Sequence, residues 1–399
     1  MYSYYRDAKF CVSFFYLIHI FLTIQSVSIV FILKILYLCS VILCELYLNM
    51  NMKLSRNILT IGCEYRPVPK GGIAQVLSHY DNLIYSQFKF IANSGGGNKF
   101  RNLWIAIESL LMMIWKCLVD KDLKIVHIHT ASYNSFRRSV WFMRVAQFMH
   151  RKVVLHIHGG GFKDYFATNK EWISKKLNCA DRLIVLSPFW KEFFDTIVEP
   201  SKVYVIENII EYPQKKSVMK DGRLHLLFLG LIADAKGIFD LLDVLREHKG
   251  EFNGRLVLHV GGNGEVDRFN KFVVEHDLGS LVSYEGWVSG DKKVDLLNLC
   301  EVYILPSYAE GVPISILEAM SYDMAIVASN VGGIPELVND TNGIMFNPGD
   351  KDAIYQSLKI LLESSEKLDN LKSNASKGVE VHYADEVEKR LEKIYKELL

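Results

Sequence analysis

From residue 57 onward, short apolar runs alternate with longer stretches whose apolar positions recur every three or four residues. Runs at 57–61 (NILTI), 88–92, 125–129, 153–158, 182–186 and 203–206 are rich in β-branched residues and bounded by turn formers, as buried strands are. The stretch 207–223 breaks this rhythm with Pro213, a Lys-Lys pair and few apolar residues after Tyr212, and reads as a linker. The rhythm then resumes at 224–230, 255–260, 282–287, 302–305, 325–329 and 343–347. Strands separated by helical lengths predict doubly wound parallel sheets, and two such sets predict two domains, at 57–208 and 222–384. A closing helix is predicted over 385–399, where Val387, Leu391, Ile394 and Leu398 make one apolar stripe.

Residues 1–49 follow another pattern. They contain neither Gly nor Pro, and 10–33 is an uncharged, mostly apolar run long enough to span a bilayer, for which about 20 residues suffice. It is too long for a cleavable signal and lacks a small-residue cleavage site. Two readings stay open: an N-terminal membrane anchor, or a misassigned start upstream of Met50 or Met52.

The chemistry concentrates in residues 301–320, EVYILPSYAEGVPISILEAM. Val302–Leu305 reads as a buried strand, Pro306 and Ser307 end it, and a helix follows from Pro313. Glu310 and Gly311 lie in the intervening loop, and Glu318 lies inside the helix, with seven residues between the two acids. Ligands of open parallel sheets bind at the carboxyl ends of strands, where helix N-termini offer free N–H groups to anions. This strand–loop–helix with two spaced glutamates resembles the E-x7-E motif of retaining glycosyltransferases, and in particular glycosyltransferase family 4. The resemblance covers about 57–399 and is strongest at 224–350.

That resemblance implies a GT-B architecture: two facing Rossmann-like domains with a cleft between them, the first on the acceptor side and the second binding the donor. It also implies roles for particular residues. His158 ends a strand and is followed by three glycines; the family carries His-Gly there, near the donor sugar. Gly71 and Gly72 follow the first strand, where the family's glycine-rich loop meets the donor diphosphate. Lys236, before Gly237, matches a phosphate-neutralising lysine, while Leu231 stands where the family usually has an arginine. Glu310 and His158 are the implied catalytic residues, and Gly71, Gly72, Lys236, Gly311, Val312 and Glu318 the implied donor-binding ones. The turn Gly261-Gly262-Asn263-Gly264 lacks the third glycine of a dinucleotide fingerprint, which disfavours NAD.

Other features carry less. His127 and His129 alternate along one strand and read as core residues. In 135–152, Arg137, Arg144 and Arg151 recur every seven residues beside Trp141 and Phe148. An interfacial membrane helix has such stripes, but a crossover helix packing its aromatic face on the sheet and solvating its arginines is the expected reading. Asp120 and Asp122 have the spacing of metal-binding acids, but precede a strand away from the ligand edge.

Composition narrows the function classes. The formal net charge of +1 argues against a nucleic-acid partner. Seven scattered cysteines without a C-x-x-C pair give neither a disulfide framework nor a zinc site, which favours a reducing compartment. The resemblance implies a hexosyltransferase of surface-polysaccharide synthesis using no cofactor and no metal, with a nucleotide sugar and a glycan or lipid-linked acceptor as partners. A cytoplasmic location at the inner membrane face is expected, with the membrane surface a further partner. The rivals are a nucleotide-sugar epimerase of the same fold and a non-catalytic membrane-anchored domain.

Overall fold

A computed structural model describes residues 55–67, 69, 71–95, 99–219 and 221–399. The apolar leader at 1–49 lies outside these residues. The described strands are β1 (Ile58–Cys63), β2 (Phe90–Ser94), β3 (Ile125–Thr130), β4 (Lys152–Ile157), β5 (Arg182–Val185), β6 (Val203–Val205), β7 (Leu224–Leu229), β8 (Leu256–Gly261), β9 (Val282–Gly286), β10 (Val302–Leu305), β11 (Ala325–Ser329) and β12 (Gly343–Phe346). They form two six-stranded sheets, ordered β2-β1-β3-β4-β5-β6 and β12-β11-β10-β7-β8-β9. Central strands are largely apolar because helices cover both sheet faces; β10 and β11 are wholly buried.

Among the described residues, packing gives two compact units, one drawn from Met1–His129, Arg138–Leu155 and Glu388–Leu399, the other from Thr130–Arg137 and His156–Val387. In the first unit, helix α1 (Gly72–His79) follows β1 and helix α2 (Lys99–Val119) joins β2 to β3. Helix α3 (Asn134–Phe148) then leads to β4. The steps β2 to β3 and β3 to β4 run in the same direction across the sheet, so right-handed crossovers put α2 and α3 on the same face. The Arg151 guanidinium, just past α3, donates to the Cys117 carbonyl of α2 at 2.8 Å and ties the two together.

Helix α2 does not put its bulkiest residues inward, and α3 divides its aromatics between its two faces. The buried side of α2 is Ala106, Ser109, Met113 and Cys117, with the Ser109 hydroxyl donating to the Ala92 carbonyl of β2. On α3 the expected packing is corrected: Phe136, Val140, Phe142, Met143 and Ala146 take the sheet side, while Trp141 and Phe148 face solvent, 45% and 82% exposed. The cause is helical phase. Positions 137, 141, 144 and 148 form one stripe, so both aromatics share the outer face with Arg137 and Arg144.

The first unit closes on the end of helix α7, residues Ala384–Lys396 in full. Its Tyr395 hydroxyl bonds the Tyr85 hydroxyl at 2.6 Å and His127 Nδ1 at 2.7 Å. His127 and His129 are both buried on β3, with ring centroids 4.4 Å apart.

In the second unit, helices α4 (Ile238–Glu247), α5 (Gly290–Leu299) and α6 (Ile314–Ser321) follow β7, β9 and β10. The turn into α4 fits against the end of β10. Gly237 has φ 67°, and a Cβ there would overlap the Pro306 carbonyl. At the opposite sheet edge, His259 Nδ1 lies 2.9 Å from Glu285 Oε1. Burial raises the Glu285 carboxyl, but His259, Ser283 and Lys292 outweigh it and hold the pKa down at about 2.

Gly237→Ala should therefore lower the melting temperature well beyond Gly254→Ala, whose positive φ faces open space. The αL penalty of about 1–2 kcal/mol applies to both; only Gly237 adds a backbone overlap. Equal losses in parallel thermal melts would show that the turn can move away from β10.

Candidate functional site

The site begins where β10 ends. Val302–Leu305 is buried between β7 and β11, and Pro306 releases the chain into the loop carrying Glu310. The Ser329 hydroxyl at the end of β11 donates to the Ser307 carbonyl and pins the loop's start. Pro313 is the cap residue before α6 rather than part of its first turn, and offers no side-chain cap to the helix amides.

The two glutamates have separate surroundings. Glu310 is nearly buried, with its side chain 10% exposed. Its Oε1 accepts from Lys236 Nζ at 2.5 Å and from the Ser307 hydroxyl at 2.7 Å. Glu318, on α6, accepts from Lys293 Nζ of α5 at 2.5 Å. Lys293 escaped the sequence reading: beside Lys292 on a short helix it looks like a solvated charge, and only the packing of α5 brings it to Glu318.

Three loops meet at the backbone of Glu310 and Gly311. A Cβ on Gly160 would overlap the Glu310 carbonyl, and so would one on Gly332, whose φ is 57°. The Gly333 amide donates to the Gly311 carbonyl at 2.7 Å. A Cβ on Gly311 would lie 3.0 Å from the His158 carbonyl oxygen. The glycines after His158 thus let that loop lie directly against the Glu310 loop. His158 stacks on His156 at 4.1 Å, and burial pushes its imidazole pKa down to about 3. The ring is neutral at physiological pH, in a residue that is half-buried as a whole.

Val312 is buried, and its carbonyl accepts from the Asn208 side chain at 2.7 Å. Lys236 closes a single turn, Asp234–Lys236, whose Ala235 carbonyl accepts from the Tyr308 amide. Arg268 also escaped the sequence reading. Its guanidinium bonds both Asp234 oxygens at 2.9 Å and lies 3.7 Å from the Phe239 ring centroid, bracing the turn that carries Lys236. Leu231 is 49% exposed and makes no charged substitute for the missing arginine.

Gly71 and Gly72 belong to the first unit, at the N-terminus of α1. Gly71 has φ 97°, and neither glycine has a heavy atom within 4 Å of where a Cβ would stand. Packing therefore demands neither residue, and the turn is open to a ligand. Asp120 pairs with Lys89 at 2.5 Å and accepts from the Asp122 amide, a local structural role.

Two six-stranded parallel sheets, with ligand-edge loops at their strands' carboxyl ends, are the frame of the GT-B fold class of glycosyltransferases. Sequence comparison agrees. The pattern of the family described as Glycosyl transferases group 1 matches residues 210–378, and that of Glycosyltransferase Family 4 matches 92–212. The chain belongs to glycosyltransferase family 4.

An uncharacterized glycosyltransferase of Methanocaldococcus jannaschii, MJ1607, is 28% identical over 193 residues, 48% of this chain and 49% of the relative. The chain thus spans about half the length of that relative. The UDP-Gal:alpha-D-GlcNAc-diphosphoundecaprenol alpha-1,3-galactosyltransferase of Escherichia coli is 25% identical over 273 residues, 62% of this chain and 68% of the relative. Among solved structures, Anabaena Alr3699/HepE in complex with UDP superposes with a TM-score of 0.66 at 16% identity, covering 86% of this chain and 100% of that one.

The depressed His158 pKa has a stability consequence. The unfolded chain binds this proton first, near pH 6.5, so the stabilising difference is complete above that pH and shrinks as pH falls toward 3. Between pH 7 and 5 the parent should lose up to about 2 kcal/mol relative to His158→Asn, less where solvent reaches the ring. Parallel pH slopes of melting temperature for the two proteins would contradict the buried neutral imidazole.

Proposed function

We propose that the protein is a retaining, metal-independent glycosyltransferase. It moves a hexosyl group from a nucleotide sugar to a glycan or lipid-linked acceptor during surface-polysaccharide assembly in the cytoplasm. The observation that carries this reading is the Glu310 carboxylate, held by Lys236 and Ser307 in a loop onto which the His158 and Gly332 loops close. UDP in the Anabaena neighbour and the diphosphoundecaprenol acceptor of the Escherichia coli relative support the two substrate classes.

In this reading the anomeric carbon loses its bond to the diphosphate oxygen and gains one to the acceptor oxygen on the same face. The acceptor proton leaves on the departing diphosphate. Lys236 has three N–H donors, and the bond to Glu310 uses one, so others remain for diphosphate oxygens. Backbone amides at Gly311 and Val312 add donors to anionic oxygens, and the family resemblance assigns Gly71 and Gly72 to donor binding as well. Both bonds to Glu310 fall on Oε1, which leaves Oε2 for sugar hydroxyls and for positive charge growing at the anomeric carbon. A neutral His158 can donate to or accept from the donor sugar without opposing that charge. Glu318, held by Lys293, accepts from the ribose hydroxyls in this reading.

Thermal shift across a panel of nucleotide sugars, followed by product analysis with and without chelator, tests this reading. A preferred donor, a product of retained configuration and indifference to chelator are expected. Epimerised donor without transfer would replace the reading with the epimerase alternative.

Point variants separate the roles. Glu310→Gln should cut kcat far more than it changes donor KM, because its charge matters most in the transition state. Glu318→Gln should chiefly raise donor KM. Full turnover in Glu310→Gln, with folding verified by circular dichroism, would remove that residue from the chemistry.

Lys236→Ala should weaken nucleoside diphosphate binding by about 1.5–3 kcal/mol, roughly tenfold to a hundredfold, and leave nucleoside binding nearly unchanged. Calorimetry with both ligands checks this. Equal losses would assign Lys236 to the architecture of the Glu310 loop alone.

A further inference from the structure

Helix α2 is built inside out. Its buried side carries Ala106, Ser109, Met113 and Cys117, whereas Phe100, Trp104, Leu111, Trp115 and Leu118 stand on the outside, each more than half exposed. These positions repeat at helical spacing and form one continuous apolar stripe along the helix. The segment Phe100–Val119 has a mean hydropathy of 1.5. It is nevertheless packed on β2 through Ser109, as the helix that joins β2 to β3 in the first sheet. An apolar face this long, outward and unbroken marks an interaction surface.

We propose that α2, with the adjoining outer face of α3, docks this unit onto an anionic lipid surface, lying in the plane of the headgroups. Charge selects lipid over a protein partner. Residues 99–152 hold ten Lys or Arg against three Asp or Glu, net +7, in a chain whose total is +1. Of the acids, Asp120 is already neutralised by Lys89. Lys121, Lys124, His150 and Lys152 are exposed where α2 and α3 end, and Arg144 stands between exposed Trp141 and Phe148 on α3. Tryptophan and phenylalanine beside a basic rim are the composition of helices that sink shallowly into a headgroup layer. Lysines and arginines near such a surface add attraction that anionic lipid supplies and salt removes. This inference goes beyond the catalytic reading and does not depend on it.

The test is vesicle co-sedimentation of the full chain, with vesicles of pure phosphatidylcholine or containing about 30% phosphatidylglycerol. The parent should bind the anionic vesicles and be released by high salt. W104S/L111S/W115S should reduce that binding by about tenfold or more. A second variant, K121E/K124E/R144E, changes only exposed charges and should reduce binding to anionic vesicles while leaving the weak binding to neutral ones. Circular dichroism and melting temperature verify that both variants fold. Unchanged binding in the first variant would overturn the proposal and place the lipid contact elsewhere, for instance in 1–49. Sedimentation equilibrium reads the remaining outcome: a parent dimer that the first variant dissolves, without loss of vesicle binding, would assign the stripe to a second copy of the chain and overturn the proposal equally.

Discussion

At the carboxyl edge of the second sheet, backbone has to lie against backbone, and side chains beyond the α-carbon would prevent it. The Glu310 carbonyl sits between Gly160 and Gly332, and the Pro306 carbonyl sits against Gly237. These contacts fix the position of the Glu310 loop before any side-chain interaction is counted. Lys236 reaches Glu310 because its turn is seated on Pro306. His158 comes alongside because its loop carries no Cβ at Gly160. Loops held this way cost little reorganisation when a ligand arrives, the condition under which fixed dipoles stabilise developing charge best.

The same geometry explains the division of charge. Glu310 and Glu318 are eight positions apart, yet each has its own lysine, drawn from a different helix or turn. Carboxylates this poorly solvated are costly without a cation. Lys236 and Lys293 each supply that cation, one to each acid. Arg268 extends the arrangement one step outward, its two bonds to Asp234 stiffening the turn from which Lys236 projects.

Much of this was legible in the sequence, for identifiable reasons. Strands buried on both faces advertise themselves as apolar runs, so each run read from 57 to 347 corresponds to an observed strand. The Glu310–Glu318 spacing was legible because strand, loop and helix are consecutive. Lys293 and Arg268 were not, since their partners lie 25 and 34 residues away and pairing across segments leaves no local pattern. The outward aromatics of α3 were misread because periodicity shows that a helix has two faces without saying which one meets the sheet. On α2 the small residues Ala106 and Ser109 won the inner face, since close approach to β2 leaves no room for tryptophan.

The bond between Tyr395 and Tyr85 spans 310 positions of chain. During synthesis, β1, β2 and β3 emerge early, yet Tyr395, which covers Tyr85 and His127, emerges only after the second unit. The first unit therefore waits, with this part of its core uncovered, while the whole second unit is translated and folds. A chain interrupted before Tyr395 would present a second unit ready to fold beside a first unit that is not. The segment Glu388–Leu399 acts as the latch on a domain begun more than three hundred residues earlier.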